Sequence, residues 1–168
     1  MDKSVLWQLS YGLYAIGAKD GERPCGCIVN TVFQLTSEPA LIAVSMNKNN
    51  YTHQLISKEN TFTVAIFSEE TAAVTISYLG FRSGRDFDKF EKVAYQTTPS
   101  GLPVANDNIC GYMEAKVVNS FDTPTHTVFV AEVIDAVKIS ELKPMTYEYY
   151  HKVVKGKAPK NAPTYQKV

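Results

Sequence analysis

The fold turns on residues 25–53, CGCIVNTVFQLTSEPALIAVSMNKNNYTH. Ile42, Val44 and Met46 alternate with Leu41, Ala43 and Ser45, so both faces of this stretch are largely apolar. Such a run reads as a strand covered on both sides, and Pro39 closes a turn ahead of it. Upstream, residues 23–35 read as one strand rich in β-branched residues, interrupted by the polar Asn30, Thr31 and Gln34. Downstream, Asn49 or Asn50 is placed to cap a helix over residues 52–58, with Tyr51 and Leu55 stacked one turn apart.

Working outward, residues 11–18 form a further strand, and Asp20-Gly21 is a hairpin signal. Residues 61–67 read as a strand. Ser68, Glu69 and Glu70 then read as a helix start, with acids at the positive end of the dipole, and Gly80 as its stop. Residues 81–108 look irregular, and an ordered loop of that length in a compact domain is usually functional. Two strong strands follow. In the first, Met113, Ala115 and Val117 are expected to face inward and Glu114 and Lys116 to face water. The second covers residues 127–137, and residues 122–125 join the pair as a hairpin. From Lys152 the chain is rich in Lys and Pro with little to bury, which divides it into a domain over 1–151 and an extended arm over 152–168. Many strands, few helices and hairpin connections predict a mainly β, antiparallel, Greek-key-like barrel with short peripheral helices. Alternating βαβ units with a glycine-rich first turn are absent, which argues against a Rossmann site.

Composition narrows the function. The 168 residues fit one domain, and 45% hydrophobic residues is ordinary for a water-soluble chain. Lys plus Arg equals Asp plus Glu, 17 each, so no global field draws the chain to nucleic acid or anionic lipid. No apolar run approaches the roughly 20 residues a membrane helix needs. The opening MDKSVLWQLS lacks a signal-peptide core, so the expectation is a cytoplasmic protein. Three cysteines, Cys25, Cys27 and Cys110, give no disulfide framework and suit a reducing compartment.

Familiar catalytic signatures are missing: there is no GxSxG elbow, P-loop or HExxH, and the three histidines lie in separate segments. Cys25-Gly-Cys27 is too close-spaced for a CxxC redox or zinc motif and reads as two small strand residues, so no metal site is expected. Polar residues do collect where a phosphate-bearing ligand would need them. Asn30, Thr31 and Gln34 interrupt their strand, while Ser45, Asn47, Lys48 and Thr52 gather at a strand end and a helix N-terminus. The same residues also read as a bulge and a capped turn. In GFRSGRDFDKF, residues 80–90, Arg82, Arg85 and Lys89 accompany Ser83 and Gly84, which suits phosphate recognition or a solvated loop.

Taken in order, residues 25–53, then 80–90, then THTVFVAEV at 125–133, then PMTYEYYHKVVKGKAPKNAPTY at 144–165 resemble the flavin reductase-like, FMN-binding split-barrel proteins. Within that family the likeness is to flavoredoxin and to the flavin reductase part of high-molecular-weight rubredoxins. The resemblance implies a homodimer of split barrels with one FMN per subunit, the ring lying along Ile28, Val29, Asn30 and Thr31. It implies that Asn30, Thr31, Gln34, Ser45, Asn47, Lys48 and Thr52 serve the ribityl chain and phosphate, and that Arg85 and Lys89 close over them. His126 matches the histidine of a Gly-Asp-His motif that meets a nicotinamide beside the flavin, although here the motif reads Pro124-Thr125-His126. The implied activity is an NAD(P)H-dependent flavin or rubredoxin-type reductase. The alternatives are an FMN electron carrier without direct NADH or NADPH use, and a non-catalytic flavin- or haem-binding module. No CxxC pair follows the closing TYQKV, where a fused rubredoxin would begin, so a rubredoxin acceptor is expected as a separate protein.

Overall fold

Nine strands carry the chain in the computed structural model, which describes residues 1–165. Seven share one sheet: β1 (Tyr14–Asp20), β2 (Arg23–Val29), β3 (Val32–Ser37), β4 (Ala40–Asn47), β5 (Thr61–Phe67), β8 (Ile109–Asp122) and β9 (His126–Lys138). The other two, β6 (Tyr95–Thr97) and β7 (Pro103–Ala105), form a separate ribbon. Every neighbouring pair is antiparallel. Three short helices, α1 (Tyr51–Glu59), α2 (Ala73–Phe81) and α3 (Tyr147–Lys152), lie at the periphery. This is the mainly β, antiparallel architecture that the strand and hairpin signals predict. The last three residues of the expected arm, 166–168, which hold the end of TYQKV, lie outside the described residues.

The strand order is β2-β1-β5-β8-β9-β4-β3, so β2 and β3, consecutive in the chain, occupy opposite edges. Laid flat, seven strands would separate those edges by about 29 Å. The link between them is only Asn30 and Thr31, and three Cα–Cα steps reach roughly 11 Å. The sheet must therefore roll until its edges meet, leaving a barrel split between β2 and β3. Its interior confirms the closure. Cys27 and Val29 of β2, Ile16 of β1, Phe62 and Val64 of β5, Ala115 of β8, Phe129 of β9 and Val44 of β4 share one buried cluster. The expected single strand over 23–35 is thus two strands. Asn30 and Thr31 break it because their side chains hydrogen-bond each other, Thr31 Oγ1 donating to Asn30 Oδ1 at 3.0 Å, at the point where the chain changes edge.

A second buried cluster covers the outside of β1, β5 and β8 with α2, the β6–β7 ribbon and the segment around α3. This cover explains three departures from expectation. The irregular stretch 81–108 contains the ribbon and a 3-10 turn at Lys89–Glu91. Glu114 does not face water: it is 5% exposed, and its Oε1 accepts from Ser100 Oγ at 2.7 Å beneath the ribbon's loop. Finally, α2 begins at Ala73 rather than Ser68. Ser68 is fully buried and donates to the Asn108 carbonyl, while Asp107 supplies the cap from a distance. The Asp107 Oδ2 accepts from the Ala72 amide at 3.2 Å and from Thr75 Oγ1 at 2.5 Å.

Candidate active site

A cavity of about 360 Å³ opens at the barrel split, within the size range of small-molecule sites. Its floor is β2 from Cys27 to Val29 with Asn30 at its end, and one wall is Ser45 and Asn47 at the end of β4. The start of α1, with Asn49, Asn50, Tyr51 and Thr52, closes that side. Leu79 to Gly84 at the end of α2 and Lys89 close the other.

The α1 N-terminus is open to ligand. Asn50 is its N-cap in extended backbone (φ −69°, ψ 133°), yet no side chain caps the first turn. Asn47 Oδ1 accepts from the Asn49 amide at 2.9 Å, and Asn50 Oδ1 accepts from Asn161 Nδ2 at 2.8 Å. The backbone amides of Tyr51 and Thr52 therefore keep their donors, beside the buried hydroxyl of Thr52, while the His53 amide donates to Asn50 O at 3.1 Å.

Lys89 is the dominant charge. It is 4% exposed, and its Nζ donates at 2.8 Å to both Gly26 O and Leu79 O. No carboxylate partners it among the described residues, and burial pulls the ammonium below the ordinary lysine value, with Cys27 and Cys25 drawing it back up. Gly26 is needed at this contact, because a Cβ there would meet Ile16 O at 2.6 Å and the Phe90 ring at 3.3 Å. β2 pairs only with β1, so it presents a free backbone edge. Gly26 O points outward to Lys89, and by strand alternation the amide and carbonyl of Ile28 point the same way, toward the cavity.

The roof is the chain beyond α3. Gly156 lies flat on the Tyr150 ring, where an added Cβ would sit 1.9 Å from Cζ. His151 Nδ1 is 2.8 Å from Gly156 O, and Tyr150 OH donates to Lys157 O at 3.4 Å. Farther on, Asn30 Nδ2 donates to Thr164 Oγ1 at 3.1 Å, which donates to Tyr147 OH at 2.8 Å. Lys157, Pro159, Lys160, Asn161, Ala162 and Pro163 line the cavity as a result. Among the described residues, the lining side chains include four cations, Arg82, Lys89, Lys157 and Lys160, and no Asp or Glu.

Burial pushes the Cys27 thiol up from its ordinary value, with Lys89 and Thr52 easing it down, and burial raises the Tyr147 and Tyr150 phenols. Thiol and phenols are therefore protonated at neutral pH, and the lining side chains offer no strong base. The chain's contribution here is binding and electrostatics. Among the described residues no three His, Cys, Asp or Glu are placed to hold a metal ion, and no helix is long and apolar enough to cross a membrane.

Of the residues singled out from sequence, the structure brings Ile28, Val29, Asn30, Ser45, Asn47, Thr52 and Lys89 onto one cavity. Five others do not line it. Thr31 turns to Asn30, and the exposed Gln34 donates to Thr36 O. Lys48 Nζ is held 3.2 Å from Asp122 on the β8–β9 hairpin. The Arg85 guanidinium stands 5.4 Å from the centre of the Tyr51 ring, one residue beyond the lining Gly84. His126 pairs with Asn47 across β4 and β9, its Nδ1 is 2.8 Å from Thr125 Oγ1, and its Nε2 is buried with no partner at hydrogen-bonding geometry among the described residues. Burial holds the His126 imidazole below its ordinary value, the Asn161 backbone opposing. The roof was not foreseen; the aromatic run Tyr147, Tyr149 and Tyr150 just ahead of the Lys- and Pro-rich tail was the signal for it.

Comparison with known proteins bears on the fold and the family. A flavin reductase like domain matches residues 6–157. The chain is 44% identical over 98% of its length to the high molecular weight rubredoxin of Moorella thermoacetica, covering 72% of that protein. It is 41% identical to the ferric-chelate reductase (NAD(P)H) of Archaeoglobus fulgidus, over 98% of both chains. Among solved structures, the FMN-binding protein from Thermus thermophilus with bound p-hydroxybenzaldehyde superposes with a TM-score of 0.73 at 21% identity, over 80% of this chain and 75% of that one.

Proposed function

The chain belongs to the flavin reductase like family, and from that premise we propose that its cavity holds one FMN, reduced by NADH or NADPH and reoxidised by an electron acceptor. The protein is a flavin-reductase-type oxidoreductase. The observation that carries the cofactor reading is the acid-free, cation-bearing cavity built around an uncapped helix N-terminus. A phosphate monoester is the ligand group such a site fits, since it accepts from backbone amides, hydroxyls and ammonium groups together. Lys89 supports the fit, because a buried cation without a carboxylate is stabilised when a ligand brings the negative charge.

When bound, flavin supplies the electron-transfer chemistry itself. The chain's residues do the rest. Thr52, Ser45, Asn47 and the first turn of α1 receive the phosphate and ribityl hydroxyls. The outward backbone of Ile28, with Val29 and Asn30 beside it, meets the polar edge of the ring. Lys89 supplies positive charge at the wall, and Arg85 closes the outer side beside Tyr51. His126 is a positioning residue, acting through Asn47 on one side and the tail on the other. The Archaeoglobus relative is named for NAD(P)H and the Moorella relative for rubredoxin, which makes a nicotinamide donor and a rubredoxin-like acceptor the best-supported partners. A homodimer is part of the same reading: Phe33 and Leu35 on β3 and Val118 and Phe121 on β8 are exposed apolar side chains on strands that a second copy would cover.

The test is direct. The purified chain should take up FMN close to one per chain, and anaerobic NADH or NADPH should bleach its visible absorbance. Failure to bind FMN at micromolar concentration overturns the reading.

A further inference from the structure

Among the described residues, seven basic side chains are in ion pairs: Lys19, Arg23, Lys48, Lys58, Lys138, Lys143 and Lys152. None of the four cations lining the cavity is in one among the described residues. In a chain of zero net charge, that segregation leaves the cavity with more positive charge than one phosphate needs. The surplus divides in space. Lys89 is deep, beneath Gly26, whereas Lys157 and Lys160 sit on the tail that crosses the mouth.

The tail is a fixed feature. Tyr150, His151 and Gly156 bind its near end, and Asn161 to Asn50 with Thr164 to Asn30 and Tyr147 bind its far end. Both lysines lie between these anchors, exposed to solvent on one side and lining the cavity on the other. We infer that Lys157 and Lys160 form a second anion subsite, which takes the phosphates of the pyridine-dinucleotide donor as it approaches over the cavity mouth. This rests on the cofactor reading above. The chemistry matches: the donor carries at least two phosphate charges, must enter from the side that FMN leaves open, and must leave again after each turnover. Solvated lysines give attraction that is screened and reversible, which suits a departing ligand better than a buried clamp.

The experiment uses the FMN-loaded full chain and the double variant Lys157→Gln with Lys160→Gln, in anaerobic stopped-flow reduction at several salt concentrations. The half-saturating concentration of NADH or NADPH should rise roughly 2- to 30-fold, as expected for losing two exposed charge pairs. Its salt dependence should flatten, while FMN content, reduction by dithionite and the limiting rate stay as in the wild type. The Lys157→Arg with Lys160→Arg variant should restore saturation. Unchanged dinucleotide saturation in the Gln variant overturns the subsite, as does a loss of FMN affinity, which would assign the lysines to the cofactor. A change confined to an anionic ferric chelate as acceptor overturns it too. A wild-type chain that takes up no FMN fails the cofactor reading itself, and the subsite falls with it.

Discussion

The two sides of the cavity hold their positive charge in opposite ways. On the barrel side, Lys89 is stripped of water and fixed by two carbonyls, Gly26 O and Leu79 O. On the tail side, Lys157 and Lys160 keep their hydration and are fixed only through the backbone that carries them. Burial makes a charge costly without its ligand and strongly coupled to it when present, whereas hydration makes a charge cheap and weakly coupled. A resident cofactor and a visiting donor need these two regimes respectively. The contrast is open to attack from either side.

The largest effect should come from Lys89→Met. The change removes the charge and leaves two interior carbonyls without their donor, so FMN affinity should fall roughly 10- to 150-fold, the worth of a charge-assisted hydrogen bond. Denaturant unfolding of the FMN-free variant should also show lower stability than wild type. Unchanged FMN affinity by fluorescence titration would break the comparison, because the deep charge would then serve the fold alone.

Thr52→Val keeps shape and removes one hydroxyl beside the α1 N-terminus. FMN affinity should fall about 2- to 13-fold, the range for one neutral hydrogen bond. An effect as large as that of Lys89→Met would show that Thr52 also sets the geometry of the helix start.

Acid should act on stability more gently. Burial lowers the pKa of both His53 and His126. As pH falls through the ordinary histidine value, about 6.5, the unfolded chain takes up protons before the folded one. Stability should therefore be full above that pH and erode below it, and His53→Gln with His126→Gln should flatten the profile. Thermal unfolding from pH 8 to 5 checks this, and an unchanged slope in the double variant would assign the acid sensitivity to other groups.

The smallest effect should be that of Lys48→Ala. The side chain pairs with Asp122, whose carboxyl is held below its ordinary value by the Thr127 hydroxyl and then by Lys48. Removing so exposed a pair should shift stability very little in denaturant unfolding and should leave FMN titration unaltered.

What could be read from the sequence, and what could not, follows the range of the interactions involved. The strand at 61–67 and the 122–125 hairpin are local patterns, and they stand as predicted. So does the helix beginning near Asn50. The break at Asn30–Thr31 was visible as polarity but not as a change of edge, because the edge is set by pairing with β4 and β1 from opposite directions. Glu114 alternates correctly as an outward residue; what covers it is Ser100, on a loop that no periodicity locates. Helix α2 begins five residues after Ser68 because Asp107, its cap, is 35 positions downstream of Ala72. At the site, the polar cluster from Ser45 to Thr52 was legible because strand end and helix start are adjacent in sequence. Lys48 is drawn out of that cluster to Asp122, which only the fold brings alongside. The tail's placement rests on Asn30 and Asn50, more than a hundred residues away, and its composition signalled only that it has little to bury.

The meeting of the two sheet edges also orders events in time. Ser45 and Asn47 belong to β4, which pairs locally with β3 on one side and, on the other, with β9 more than 75 residues later: Asn47 faces His126 and Leu41 faces Glu132. Contacts of such separation form slowly, because the intervening chain must surrender its freedom before they are rewarded. The pocket wall is therefore incomplete on a nascent chain until β9 has emerged and docked, well after the β1–β2 and β3–β4 hairpins can close. FMN has no partly folded form of this site to occupy, so it must select the finished barrel and hold it there by mass action. Cells short of flavin would then lose that added hold and should accumulate less of the intact protein.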